Sequence, residues 1–171
     1  MTTAYDDLQS FLDLSSALTG FSEFRLRGTG QDTSYLAAVR SVVGDDPVDE
    51  LLRRYRGISD ATWDDPVEHD RSLRAQVLSD DRLGPIARNL IKLWFVGTWY
   101  QLPTAWRTAF GAADADVTFV VSPAAYTEGL LWPTIGANPP GAKGPGYASW
   151  TGPPRIPEIP ARKVAARGRP G

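Results

Sequence analysis

The chain of 171 residues contains no cysteine and only one histidine, His69. The first absence excludes disulfide bonds, thiolate metal ligands and thiol catalysis. The second excludes a metal site built from several histidines of this chain. Long apolar runs are also missing, because no stretch approaches the roughly 18 uninterrupted apolar residues of a membrane-spanning helix. We therefore expect no direct insertion into a membrane.

An excess of positive charge is missing as well. The formal net charge is −2, which argues against nucleic acid as a partner. Residues 151–171 nevertheless carry five arginine and lysine side chains against Glu158, a net charge of +4, so residues 1–150 carry −6. The N-terminus has no basic region followed by an apolar run, so the chain as written is expected to be cytoplasmic. Export stays an alternative if a partner carries the signal or if a leader has been removed.

Apolar residues recur at helical spacing in most of the chain, and the helix-end residues fit that spacing. We predict an all-α fold, in which residues 1–132 form a compact domain of about six helices. Residues 133–171 contain 9 prolines and 7 glycines, a composition that excludes a long helix. They are expected to form a long, irregular C-terminal extension that packs on a partner, with short polyproline stretches at "GPPRIPEIP".

Helix ends are marked by glycines and by paired acids. Gly20, Gly44 and Gly57 are expected to end helices. Three aspartate pairs would suit a divalent cation, but two directly precede a proline and the third lies near one, which favours helix capping. The pairs are Asp45–Asp46, Asp64–Asp65 and Asp80–Asp81. Further expectations are a helix that opens at Pro85, a short helix near "PTAWRTAF", a lone strand within 117–121, and a last helix from Ser122 to Trp132.

No catalytic or phosphate-binding motif survives inspection. The stretch "GANPPGAK" has Ala142 where a phosphate loop needs its lysine, and Pro139 and Pro140 remove backbone N–H donors. The "EHD" triplet around His69 lies within one helical turn, where neighbours point in different directions, and no nucleophile elbow accompanies it. A surface histidine is the better interpretation.

Tryptophans are concentrated in the second half of the chain. Trp94 and Trp132 fall at apolar helical spacing, which favours the core. Trp99, Tyr147 and Trp150 lie beside glycines or in loops, where core packing and a partner surface stay equally open.

Three blocks carry a family resemblance: "FLDLSSALTGF", "LIKLWFVGTWY" and "FVVSPAAYTEGLLWPTIGANPPGAKGPGYASW". In this order they resemble the small (gamma) subunit of membrane-associated, FAD-dependent sugar and polyol dehydrogenases, among them the sorbitol, fructose, gluconate and glucose dehydrogenases. The resemblance runs from about residue 8 to Pro154.

The resemblance implies that the chain is a non-catalytic, chaperone-like subunit of an oxidoreductase complex. FAD and the substrate pocket are expected in a large partner subunit of the glucose–methanol–choline type, with a cytochrome c or another electron acceptor as a possible third component. No catalytic, cofactor-binding or metal residue is then expected in this chain. The residues expected at the heterodimer interface are Trp99, Tyr126, Trp132, Asn138, Pro139, Pro140, Tyr147, Trp150, Pro153 and Pro154.

The sequence departs from the family pattern at two points. Many relatives begin with a twin-arginine export signal, which is not seen here, and Asn138 stands where relatives commonly have a histidine. Two other functions stay open. The first is a free-standing oxidoreductase that uses Glu128, Tyr126 or His69 as acid–base groups, and the second is a proline-rich adaptor that binds another protein through "PPRIPEIP".

Overall fold

The computed structural model describes residues 4–111 and 113–142, with side chains from residue 7 onward. The predicted all-α class is confirmed for this part of the chain. The elements, in order, are α1 (Ala4–Thr19), α2 (Glu23–Gly28), α3 (Asp32–Val43), α4 (Asp45–Ala61), α5 (Pro66–Leu73), a π-helical turn (Arg74–Leu78), α6 (Leu83–Val96), β1 (Thr98–Trp99), α7 (Thr104–Phe110), β2 (Phe119–Val120), α8 (Pro123–Thr127) and α9 (Leu131–Thr134).

Helix α6 is the centre of the packing. It contacts α1, α3 and the π-helical turn along its length, and β1, α8 and α9 near its C-terminal end. Its inward side chains are fully buried because apolar residues repeat at helical spacing around it. Trp94 lies between two aromatic side chains of other helices, with ring centroids 6.2 Å from Phe11 and 4.9 Å from Tyr35. The central helix therefore joins the helical core to the last described elements.

One of the three aspartate pairs caps a helix as predicted, and a second bonds backbone N–H groups where another helix begins. Asp65 precedes α5, and its carboxylate accepts hydrogen bonds from the N–H groups of Val67 and Glu68. Asp80 accepts from the N–H groups of Arg82 and Leu83, just ahead of α6. Partial burial opposes its charged form, but these backbone bonds and the Arg54 guanidinium outweigh that cost and lower the pKa of Asp80. These two aspartates therefore bond free N–H groups at the starts of α5 and α6.

The first pair behaves differently. Gly44 precedes α4 without a side-chain cap, so the expectation that Asp46 caps this helix is wrong. Asp45 lies in the first turn instead, and its carboxylate accepts a hydrogen bond from Arg40 at 2.7 Å. Arg40 also contacts Asp7 and Asp49, so one guanidinium links the starts of α1 and α4 to the end of α3.

Two expected helix boundaries and the expectation of a lone strand are wrong. Gly57 does not end α4, which continues to Ala61 because Ile58 extends its buried face, and such packing outweighs the ~1 kcal/mol cost of a helical glycine. The strand at Phe119–Val120 is not alone, since it pairs antiparallel with Thr98–Trp99. The helix expected from Ser122 to Trp132 breaks into α8 and α9 near Gly129.

The break at Gly129 has a steric cause. A Cβ atom at this position would lie 2.7 Å from the carbonyl oxygen of Phe95, so only glycine permits the chain to approach α6 so closely. The expected last helix therefore bends over the end of α6 instead of leaving it. Among the described residues, no helix has the length and apolar character needed to cross a membrane.

Candidate docking surface

The C-terminal end of α6 fixes the position of the last described segment. Gly97 ends this helix in the left-handed conformation, with φ +66°. Its carbonyl oxygen accepts a hydrogen bond from Val121 N–H at 3.0 Å, and the carbonyl of Trp94 accepts one from Leu130 N–H at 2.9 Å. Carbonyls at the end of a helix have no partners within it, so these two bonds satisfy them. The first joins the residue after β2 to the end of α6, and the second attaches the connection between α8 and α9 to α6.

Internal bonds hold residues 122–142 together. The indole N–H of Trp132 donates to the carbonyl of Tyr126 at 2.8 Å, and the two rings meet edge to face at 5.4 Å. The Tyr126 hydroxyl donates to the Pro140 carbonyl at 3.3 Å. Ser122 caps α8 by accepting from Ala125 N–H, as the sequence predicted. We call residues 122–142 the platform.

A groove of about 500 Å³ separates the platform from α2. We call it the α2 groove. Its α2 side carries Phe24, whose side chain is 88% exposed, and a second exposed apolar residue, Ile135, belongs to the platform. The groove lining mixes polar and apolar groups. A large aromatic side chain left in water at the edge of such a groove is a common feature of partner-binding surfaces. The residues that line the groove are Phe24, Arg25, Gly28, Thr29, Thr127, Glu128, Gly129, Leu130, Trp132, Pro133, Ala137, Asn138 and Pro139.

Helix α2 holds Phe24 outward for a local reason. Ser22 caps the helix, and Leu26 is fully buried, so the helix is anchored by the opposite face. Arg27 donates to the Glu23 carboxylate at 2.8 Å, one helical turn away. That bond, together with Gln9, lowers the pKa of Glu23. These contacts fix the short helix while Phe24 itself packs against little.

The structure divides the predicted interface residues into three groups. Tyr126, Trp132, Asn138 and Pro140 belong to the platform and are at least partly exposed, and Pro139 is buried there against the groove. Trp99 does not belong to this surface. The others lie outside the described residues: Tyr147, Trp150, Pro153 and Pro154.

Trp99 is a core residue, which corrects its expected place at the interface. Its side chain is 0% exposed, and its indole N–H donates to the Asp116 carboxylate at 3.1 Å. The same carboxylate accepts from Leu102 N–H at 3.1 Å. Its second oxygen lies 3.1 Å from Arg107 Nε, an ion-pair contact without hydrogen-bond geometry. Gly97, two positions earlier, suggested a loop at Trp99. In the structure Trp99 belongs to the short strand β1, and its side chain points into the core.

The acid–base groups considered for a free-standing enzyme do not share one cavity. Glu128 lines the α2 groove, whereas His69 lies between α4 and α5, where its Nδ1 contacts the Thr62 hydroxyl at 2.9 Å. The His69 ring also meets the Tyr55 ring edge to face at 5.7 Å. His69 therefore contributes to the packing of α5 against the C-terminal half of α4.

The sequence reasoning missed α2 and therefore Phe24. The available signal was Ser22 followed by Glu23, a cap and an acid in the first turn, with Leu26 as the inward residue. Six residues are too few for the apolar periodicity that identifies longer helices.

Within the described part of the chain, no group of three or more histidine, aspartate or glutamate side chains is placed to hold a metal ion. Comparison with family models, curated protein sequences and solved structures finds no match to this chain.

Proposed function

We propose that this chain is a non-catalytic small subunit of a heteromeric FAD-dependent sugar, polyol or glycoside dehydrogenase. Its partner is a flavin-bearing large subunit of the glucose–methanol–choline type, which the chain stabilises and helps to fold. The resemblance of three sequence blocks supports the family. The main support for a docking role is Phe24, a largely exposed aromatic side chain that lines the α2 groove.

The platform suits a docking role because it is fixed before any partner arrives. The backbone bond from Leu130 to Trp94 attaches it to α6, and Trp132, Tyr126 and Pro140 brace it internally. A surface held in its bound shape loses less conformational entropy on association, which favours affinity. Stable interfaces of permanent complexes often bury more than about 2,000 Å² in total. We therefore expect the contact to continue from the groove across the exposed prolines of the platform.

The groove also presents polar groups at its rim. Arg25 and Glu128 line it from opposite sides, and Asn138 is exposed next to Pro139. Protein interfaces outside permanent complexes are similarly mixed, about as apolar as the rest of a protein surface. At this position Asn138 replaces the histidine that the resemblance leads one to expect, and an amide keeps both a donor and an acceptor there.

Two exposed aromatic residues allow a matched test of this proposal. Phe24→Asp places a charge in the centre of the proposed interface, and we expect the dissociation constant for the large subunit to rise at least about 30-fold, which corresponds to roughly 2 kcal/mol. Trp63 is 82% exposed but lies at the α4–α5 joint, away from the groove-lining residues. Trp63→Asp should leave the constant within about threefold, as expected for a residue outside the interface.

The measurement is titration of each variant into purified large subunit by biolayer interferometry, after circular dichroism has verified that both variants are folded. Equal affinities for Phe24→Asp and the unmodified chain would remove the α2 groove from the interface. A loss with Trp63→Asp alone would move the interface to the α4–α5 joint.

A further inference from the structure

The joint between α4 and α5 presents a second exposed aromatic residue. Helix α4 ends at Ala61 and α5 begins at Pro66, and Trp63 lies in the four-residue connection with 82% of its surface exposed. Val67, on the first turn of α5, is 70% exposed. A groove of about 400 Å³ adjoins Trp63, and we call it the Trp63 groove. Its lining includes Ala17, Ser59, Trp63, Pro66, His69 and Leu73.

The joint is held rigid although Trp63 is exposed. The Thr62 hydroxyl donates to the Ile58 carbonyl at 2.7 Å and contacts His69 Nδ1 at 2.9 Å. Asp65 caps α5 through two backbone N–H groups. These bonds fix the backbone on both sides of Trp63. The side chain of Trp63 is therefore available to pack against another segment.

The connection that carries Trp63 is locally acidic. Residues 60–70 contain five aspartate and glutamate side chains, with Arg56 before them and Arg71 and Arg74 after them. Glu68 pairs with Arg71, and Asp70 pairs with Arg74. Asp60 and Asp64, which flank the tryptophan, form no ion pair with the described residues. A ligand for this surface should therefore combine positive charge with groups that pack on an indole ring.

The C-terminal part of the same chain has this chemistry. Residues 155–169 carry five basic side chains against Glu158, and Pro157 and Pro160 are three positions apart. A three-residue proline spacing places both rings on one side of a polyproline II helix. Such segments dock in aromatic-lined grooves, and arginine side chains also stack on tryptophan.

We propose that residues 155–169 dock on the Trp63 groove of their own chain, with Pro157 and Pro160 against Trp63 and the basic side chains facing Asp60 and Asp64. The described chain ends at Ala142, and the 13 residues from there to Arg155 can span up to about 43 Å. That reach compares with a radius of gyration of about 14 Å for a domain of this size. This inference is independent of the proposed dehydrogenase partner.

Covalent linkage makes even weak docking effective. Linkage within one chain supplies an effective concentration of about 1 mM, so a dissociation constant of about 100 µM would leave the segment bound for roughly nine-tenths of the time. Charge pairing of this exposed kind weakens with added salt. The docked segment would cover Trp63 and neutralise part of the acidic surface until a stronger basic ligand displaced it.

Hydrogen exchange of the full chain tests the proposal. In the unmodified chain we expect amides of residues 161–169 to exchange more slowly than in Trp63→Ala, by up to about tenfold, the limit that a nine-tenths bound fraction sets. The double variant Asp60→Asn/Asp64→Asn should lose most of the same protection, and 0.5 M salt should have a similar effect. Phe24→Ala, which truncates an equally exposed aromatic residue on the other groove, should leave the exchange unchanged.

The outcomes separate the alternatives. Equal exchange in the unmodified chain and in Trp63→Ala overturns the proposal. Protection that grows with protein concentration and accompanies a dimeric mass also overturns it, since the segment would then belong to a second copy. Because Trp63→Ala and Phe24→Asp affect different grooves, failure here leaves the affinity test of the proposed function untouched.

Discussion

Gly97→Ala is expected to destabilise the fold by at least about 3 kcal/mol. A Cβ atom at this position would lie 2.4 Å from both the carbonyl carbon and oxygen of Ala125, which are backbone atoms of α8. The residue also has φ +66°, where an L-side chain costs about 1–2 kcal/mol by itself. The platform would have to move away from α6, and the bond from Leu130 to Trp94 would be lost. Urea unfolding followed by circular dichroism measures the change.

Gly20→Ala is the matched control. Gly20 has a similar left-handed conformation, with φ +76°, but nothing lies within 4 Å of its Cβ position. Its cost should therefore be limited to the conformational part, about 1–2 kcal/mol. If both variants cost the same, the close approach of α8 to Gly97 is not what requires glycine there, and the attachment of the platform would need another explanation.

Asp116→Ala is expected to cost about 3–5 kcal/mol. The carboxylate is 1% exposed and accepts hydrogen bonds from the Trp99 indole and from Leu102 N–H. Removing it leaves two buried donors without acceptors, removes the charge that faces Arg107, and opens a cavity beside Trp99. Asp116→Asn should cost less, because its amide oxygen can still accept both hydrogen bonds.

Asp114→Ala provides the comparison within the same turn. Asp114 is exposed and forms none of these bonds, so its substitution should change the free energy of unfolding by less than about 0.5 kcal/mol. Differential scanning calorimetry of the three variants gives the ranking. If Asp116→Ala proves as mild as Asp114→Ala, Trp99 is not held in the core by this carboxylate.

The helices with long apolar repeats could be predicted from the sequence, because residues next to each helix end determine where it begins and ends. α1 ends before Gly20 and α3 before Gly44, and α5 begins after Asp65, as the helix-end residues indicated. The expected helix boundaries are wrong where contacts with residues far away in the sequence determine the backbone conformation. Gly57 remains helical because Ile58 packs in the core, and Gly129 breaks a helix because the Phe95 carbonyl approaches it.

The same distinction between local and distant residues applies to the candidate docking surface, which stays a prediction. Tyr126, Trp132 and Asn138 are neighbours in sequence, and the structure places them on one platform. The opposite wall of the groove comes from α2, about one hundred residues earlier in the chain, and no local pattern connects Phe24 to the platform. The inward turn of Trp99 likewise depends on Asp116, which sequence spacing alone does not pair with it.

We propose above that this chain stabilises a flavoprotein partner. The most direct test of this proposal is co-expression with a glucose–methanol–choline-type large subunit from the same genome, followed by size-exclusion chromatography with light scattering and flavin absorbance. The account predicts a single species that contains both chains and bound FAD, and a large subunit that loses FAD or precipitates when this chain is omitted. A chain that elutes alone as a stable monomer, beside a large subunit that keeps its FAD and its activity without it, would contradict the account.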